Sequence, residues 1–217
     1  MITAIFDLDG TLADTLCDLA DATNYGLRQL GYPEHPYESY KYFVGNGVQK
    51  LCFRALPEDK KSETDKLLEI FREYYSAHFL DKTKLYPGIW EALQALSQRG
   101  VKLAIATNKP EEFAVQIAEK LLSEFNFVKV LGGCSYRPKK PDTAILVEIF
   151  AALPDEENRV FMIGDSAVDI KLGQNAGVET IGCTWGFRGR QELEEAGADH
   201  IAETADDIVQ YVSLTDQ

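Results

Sequence analysis

The stretch "ITAIFDLDGT", Ile2 to Thr11, decides the architecture. Ile2 to Leu8 are apolar and rich in β-formers, which reads as a short buried strand. The strand runs into Asp7 and Asp9, then into Gly10 and Thr11. Side chains two apart leave a strand on one face. The two carboxylates therefore start together and repel unless a cation or a proton intervenes. Gly10 lets the backbone turn sharply, and Thr11 can open the next turn or helix. A capped turn accounts for one aspartate. The second gains little from that role and costs repulsion.

Working outward, four stretches repeat the apolar pattern: "KLAIAT" from Lys102, "FVKVLGG" from Phe127, "RVFMIGD" from Arg159 and "ETIGCTW" from Glu179. "DHIAE" from Asp199 is a weaker copy. Amphipathic helical patterns separate them. "GIWEALQALSQRG" carries Ile89, Leu93 and Leu96 and stops at Gly100. "PEEFAVQIAEKLL" places Pro110 at a first helical position. "PDTAILVEIFAAL" and "SAVDIKLGQNAG" complete the alternation. The prediction is an α/β fold with a Rossmann-like parallel sheet core flanked by helices. Between Asp14 and Tyr86 the alternation stops. Helical patterns cover Thr15–Leu30, Tyr37–Phe43, Val48–Leu56 and Glu58–Phe79, punctuated by Pro33, Pro36 and Pro57. An all-helical domain, 15–85, is thus expected inside a core made of 1–14 and 86–217.

The 217 residues, 45% of them hydrophobic, suffice for one or two domains with a sizeable core. A net charge of -13 argues against nucleic acid and anionic membranes as partners. No apolar run approaches the roughly 20 residues that span a bilayer. Met1 leads directly into the first strand with no signal-peptide pattern. Cys17, Cys52, Cys134 and Cys183 are scattered, which suits the reduced thiols of a cytoplasmic protein. A monomer or a homodimer is expected.

Sites in open parallel sheets form at the carboxyl ends of strands. There the sequence places Thr107 and Asn108 ("AIATNKP"), and Asp165 with Asp169 one helical turn on ("GDSAVD"). With Asp7 and Asp9 this makes a constellation of carboxylates, a hydroxyl and an amide. An acidic site that takes an anion needs a local cation. "SYRPKKPD", Ser135 to Asp142, offers Arg137, Lys139 and Lys140, although charge runs are ordinarily solvated.

The order and wording of these segments resemble the haloacid dehalogenase superfamily of phosphotransferases. "DLDGT" matches its first motif, Thr107-Asn108 the second, the lysine of "KKP" the third and "GDSAVD" the fourth. The helical insert resembles the family's type 1 cap. "TNKP" and "GDSAVDIKLGQNAGVETIGCTWGF" are most similar to its phosphoglycolate phosphatases. The resemblance implies that Asp7 is the nucleophile and Asp9 the general acid and base. It implies Mg2+ held by the Asp7 side chain, the Asp9 carbonyl and Asp165. Thr107, Asn108, Lys140 and the amides of Leu8 to Gly10 would hold the phosphoryl oxygens, and Asp169 would orient the lysine or a metal-bound water. "FVGNGV", Phe43 to Val48, resembles the substrate-specificity loop, with Gly45, Asn46 and Gly47 at its centre.

The third motif sets its lysine directly before proline, which selects Lys140. Arg137 and Lys139 keep the solvated reading, with Lys139 the alternative if the loop register is off by one, and Pro141 is expected to begin the next helix. A charge count agrees that a cation is needed. Four ionised aspartates and one dication leave two negative charges before a phosphate arrives, so neutrality takes Lys140 and a proton on Asp9. The expected function is a Mg-dependent phosphatase of a small phosphorylated metabolite, 2-phosphoglycolate first. Alternatives are a phosphomutase of the β-phosphoglucomutase type, or a phosphatase of sugar phosphates, nucleotides or pyrophosphate. A non-catalytic sensor would need neither Asp7 nor Asp9. Arg188, in "CTWGFRGR", is expected to be solvated or in a surface salt bridge rather than on phosphate.

Overall fold

The structure is a computed structural model that describes residues 1–154 and 159–213. The expected core range includes 155–158 and 214–217, which lie outside the described residues. Six parallel strands form the sheet: β1 (Ile2–Phe6), β4 (Lys102–Pro110), β5 (Phe127–Gly133), β6 (Arg159–Gly164), β7 (Glu179–Cys183) and β8 (His200–Ala202). Their order is β5-β4-β1-β6-β7-β8, so the chain reverses its direction of travel across the sheet at β1. Such a switch point opens a crevice at the carboxyl ends of the strands.

The central strands are buried on both faces, as parallel strands under helices must be. Along β1, Ala4 and Phe6 join one apolar cluster with Leu103, Ile105, Phe161 and Ile163. Ile5 points the other way and packs with Ala104, Ala106, Met162 and Leu172. Helices α5 (Ile89–Gln98), α6 (Glu111–Leu121), α7 (Ala144–Phe150), α8 (Ala167–Ala176), α9 (Arg190–Glu195) and α10 (Ala205–Ser213) cover the sheet. The helix after "SYRPKKPD" starts at Ala144, not at Pro141 as expected. Thr143 is its N-cap, and the intervening residues form a turn in which the Asp142 amide donates to Lys139 O, 3.1 Å.

Between Asp14 and Tyr86 lie α1 (Leu16–Gln29), α2 (Tyr37–Phe43), α3 (Val48–Ala55) and α4 (Thr64–His78). The pattern expected as one helix over Glu58–Phe79 begins with a 3-10 segment, Glu58–Glu63, before α4. These helices pack on their own apolar cluster, including Leu27, Tyr40, Leu51, Leu67, Phe71 and Tyr75. Phe113 of α6 and Phe187, after β7, complete it from the sheet side. No strand was expected here, yet β2 (Ala13–Asp14) pairs antiparallel with β3 (Lys84–Leu85). This two-stranded neck is reinforced by Asp18, whose buried carboxylate accepts from the Lys82 and Thr83 amides and the Thr83 hydroxyl. Two-residue strands have no periodicity to read, so the pairing was invisible in the sequence. Among the described residues no helix is long and apolar enough to cross a membrane.

Candidate active site

The "DLDGT" segment closes into a tight loop at the end of β1. Leu8 O accepts from the amides of Thr11, Leu12 and Ala13 at 3.0–3.3 Å, and the Asp7 amide extends the ladder to Ile163 O on β6, 2.8 Å. Gly10 has φ +85°, and a Cβ there would stand 2.4 Å from Asp165 Oδ2. Both the left-handed conformation and the close approach require glycine. Gly186 plays the matching part on the other side, where a Cβ would meet Asp165 Cβ at 2.2 Å.

Asp165 leaves the end of β6, and its Oδ2 accepts from the Phe187 amide, 2.7 Å. Asp169 sits in the first turn of α8, where its Oδ2 accepts from the Ser166 hydroxyl, 2.7 Å, and amide, 3.2 Å, in a capping box. That cap leaves Oδ1 free to face the sheet ends. Asp7, Asp165 and Asp169 each offer a carboxylate oxygen, and these lie within 4.8 Å of one another.

Lys140 Nζ is 2.7 Å from Asp169 Oδ1, 3.0 Å from Asp7 Oδ1 and 2.9 Å from Ala106 O. An ammonium has three protons, so all are spent. A phosphoryl oxygen could contact this lysine only by replacing one of these acceptors. Lys140 is 4% exposed, whereas Lys139, next to it, is exposed and has only a long contact with Asn46 O, 3.4 Å. Arg137 departs from the solvated reading: it is buried, with its Nε and Nη2 on the two Glu148 oxygens at 2.8 Å and Nη1 on Glu111 at 3.0 Å. Glu148 on α7 and Glu111 on α6 come from separate segments, so adjacency in the sequence gave no sign of them.

Thr107 is buried beside Asp7, where its hydroxyl favours the charged Asp7 carboxylate and accepts from the Lys109 amide, 3.3 Å. Asn108 has its amide committed at both ends: Oδ1 accepts from the Lys140 amide, 2.9 Å, and Nδ2 donates to Gly45 O, 3.1 Å, and Lys140 O, 3.3 Å. These bonds occupy the group expected to hold phosphate, and make Asn108 the brace that sets Lys140 against the Gly45–Gly47 loop. Arg188 also differs from expectation. It forms no carboxylate pair among the described residues and donates from Nη2 to Val44 O, 2.9 Å.

The sequence reading missed Lys109 altogether. It is 4% exposed, with Nζ 3.0 Å from Asp9 Oδ1 and 2.7 Å from the Tyr75 hydroxyl on α4. Thr15 completes the surroundings of Asp9, donating to Oδ1 at 2.7 Å. The signal was present: β4 runs on to Pro110, and Thr107 and Lys109 share a strand face by the two-residue period. With Lys109 counted, four carboxylates, one dication and two lysines cancel, and the proton on Asp9 is no longer required for neutrality.

Burial pushes the Asp7 carboxyl up to about 6, against the pull of Lys140. Asp165 is raised well above the usual range by burial, then by Asp169 and Asp7. Burial works against the Lys140 ammonium, but Asp169 and Asp7 outweigh it and hold its pKa above that of an ordinary lysine. Asp7 and Asp165 thus remain short of positive charge even beside Lys140. A donor set of carboxylate oxygens alone, still short of cation, fits a hard dication such as Mg2+. The Asp9 carboxylate, engaged by Lys109 and Thr15, is not part of that set.

A narrow cleft of about 20 Å³ opens beside these groups. Asp7, Asp9, Thr107 and Lys109 line one wall, and Leu19, Val44, Gly45, Gly47 and Leu51 the other.

The sequence profile of the haloacid dehalogenase-like hydrolases matches residues 4–183, and the chain belongs to that family. Its relatives act on phosphoric monoesters, and this chain is a hydrolase of that class. It is 36% identical over 216 residues to a phosphoglycolate phosphatase of Psychrobacter arcticus, covering 96% of this chain and 94% of the relative. It is 37% identical over 188 residues to one of Agrobacterium fabrum, covering 85% and 81%. Among solved structures, one from Lactobacillus delbrueckii subsp. bulgaricus superposes with a TM-score of 0.88 at 32% identity, covering 97% of each chain. A haloacid dehalogenase-like protein of Streptococcus pneumoniae gives 0.83 at 29% identity, covering 97% of this chain and 98% of that one.

Proposed function

We propose that the protein is a Mg-dependent phosphatase of a small phosphate monoester, 2-phosphoglycolate first, acting through an aspartyl-phosphate on Asp7. The observation that carries this reading is the Lys140 ammonium set between Asp7 and Asp169 at the strand ends. It holds a buried carboxylate in place beside the cleft and partly offsets its charge, as a nucleophile facing a phosphate dianion requires.

In the first step an Asp7 oxygen attacks phosphorus and the bond to the ester oxygen breaks. A proton that enters with the ester monoanion and is taken up by Asp9 passes to that leaving oxygen. Water then attacks the phosphorus of the aspartyl-phosphate, Asp9 takes a proton from it, and the Asp7 carboxylate leaves with inorganic phosphate as product. Thr107 and the amides of Leu8 to Gly10 hold the phosphoryl oxygens, while Asn108 keeps Lys140 in register. Asp7 and Asp165, with the Asp9 carbonyl, would hold Mg2+, and Asp169 would hold Lys140. When bound, the ion supplies positive charge to the phosphoryl group and the carboxylates.

The helices between 15 and 85 act as a cap over the cleft. Their apolar wall and the narrowness of the cleft favour a small ligand over a macromolecule. The relatives' names support 2-phosphoglycolate. The four cysteines are free thiols, which supports a reducing, cytoplasmic setting.

The test is phosphate release from 2-phosphoglycolate, hexose phosphates, nucleoside monophosphates and pyrophosphate, with and without Mg2+. Mg-dependent release, greatest for 2-phosphoglycolate, is expected. Interconversion of hexose 1- and 6-phosphates without release would favour the mutase, and no turnover of any ester would sink the reading.

A further inference from the structure

The segment after β7 connects the carboxylate cluster to the cap in four consecutive residues. Trp185 Nε1 donates to Thr11 O, 3.1 Å, which fixes the segment on the "DLDGT" loop. Gly186 lies so close to Asp165 that no side chain fits there. The Phe187 amide donates to Asp165 Oδ2, 2.7 Å, while its ring is buried in the apolar cluster of the cap helices. Arg188 then reaches Val44 O in the cap loop, 2.9 Å.

The carbonyls of that loop are held from both sides. Arg54 on α3, inside the cap, donates from Nη1 to Phe43 O, 2.9 Å, and from Nη2 to Asn46 Oδ1, 2.7 Å. From the sheet side come Arg188 on Val44 O and Asn108 on Gly45 O. Arg54 fixes the loop's shape wherever the cap stands. Arg188 bonds it only while the cap is against the core. Among the described residues neither guanidinium pairs with a carboxylate, so nothing competes with the carbonyls for them. A hydrogen bond from a charged donor is among the stronger single contacts available at such a seam.

We infer that Arg188 is a positioning residue for the reaction: together with Phe187 it forms a latch that ties the closed cap loop to Asp165, so that cap closure and the placement of the metal-side carboxylate are one event. This rests on the proposed phosphatase reading for its kinetic test, but not for its conformational one.

The test compares wild type with Arg188→Ala and Arg188→Lys by solution X-ray scattering and by kinetics on 2-phosphoglycolate with saturating Mg2+. Arg188→Ala is expected to have a larger radius of gyration than wild type, and a KM raised about ten- to hundredfold for one charged hydrogen bond lost. Its kcat should fall less, its melting temperature should stay near that of wild type, and lysine, which keeps a charged donor, should recover much of the KM. An unchanged radius overturns the latch whatever the kinetics show; with a raised KM it would mean instead that Arg188 touches substrate. An unchanged KM in a chain that does hydrolyse 2-phosphoglycolate also overturns it. If wild type hydrolyses no ester, the phosphatase reading fails and the radius alone decides the latch.

Discussion

Two buried lysines serve the two aspartates of "DLDGT", and they differ in what else they touch. Lys140 joins Asp7 to Asp169 and to Ala106 O, all of them on the sheet side. Lys109 joins Asp9 to the Tyr75 hydroxyl on α4, a helix of the proposed cap. The first lysine is fully satisfied without the cap. The second is satisfied only with it, since burying an ammonium with a partner missing is costly. The proposed nucleophile is therefore held in a fixed environment, and the surroundings of the proposed acid depend on where the proposed cap stands.

The comparison is broken most sharply on the Lys140 side. Asp7→Asn should lower turnover by about 10⁴-fold or more, as expected for loss of a nucleophile. In metal-free protein the same change should raise the melting temperature at neutral pH, because it removes one of three buried carboxylates that face each other. Loss of both activity and stability would contradict this. Lys140→Ala should cost roughly 10²–10³-fold in kcat, the scale of a lost electrostatic stabiliser. Lys139→Ala should change it by less than about threefold. Equal losses would refute the division between the two lysines.

On the Lys109 side the effects should be smaller and depend on the cap. Lys109→Ala should lower kcat about tenfold, and Tyr75→Phe, which removes one acceptor and keeps the ring, a few-fold. Steady-state kinetics on the best ester read both. A Tyr75→Phe enzyme more impaired than Lys109→Ala would show that the tyrosine acts on substrate directly rather than through the lysine.

The sheet and the strand-end aspartates were legible in the sequence because they rest on local signals. Strand patterns such as Phe127–Gly133 coincide with the strands observed, and the turn at Gly10 needs a residue only glycine can be. What escaped reading depends on partners far along the chain. Arg137 reads as solvated until Glu148 and Glu111 are folded beside it. Lys109 reads as the tail of a strand until Asp9 and Tyr75, 100 and 34 residues away, arrive. Lys140 and Arg188 look alike in sequence as cations on loops. The lysine-before-proline motif singles out the first, which ends among carboxylates, but nothing local shows that the second ends on the Val44 carbonyl.

The smallest expected effect concerns pH and metal. Asp7 is raised from 3.8 to about 6, and Asp165 is raised too, both through burial first. A raised carboxyl contributes stability that is complete below its unfolded value and is lost as pH rises through its folded one. Metal-free protein should therefore lose the Asp7 contribution between about pH 4 and pH 6, lowering its melting temperature by a few degrees. Mg2+ at pH 7 should restore it, and the apparent Mg2+ affinity should weaken below about pH 6 as protons compete for the same oxygens. Thermal melts across pH, with and without Mg2+, check the sign. A metal-free protein that gains stability across this range would contradict it.

The central claim is that Asp7 carries the phosphoryl group. Acid quenching of wild type during turnover of 2-phosphoglycolate, followed by peptide mass analysis, tests it directly. The account predicts one phosphoryl group on the peptide containing Asp7, formed within a single turnover and absent from Asp7→Asn. Full-rate phosphate release by Asp7→Asn, or a phosphoryl group trapped on any other residue, would contradict it.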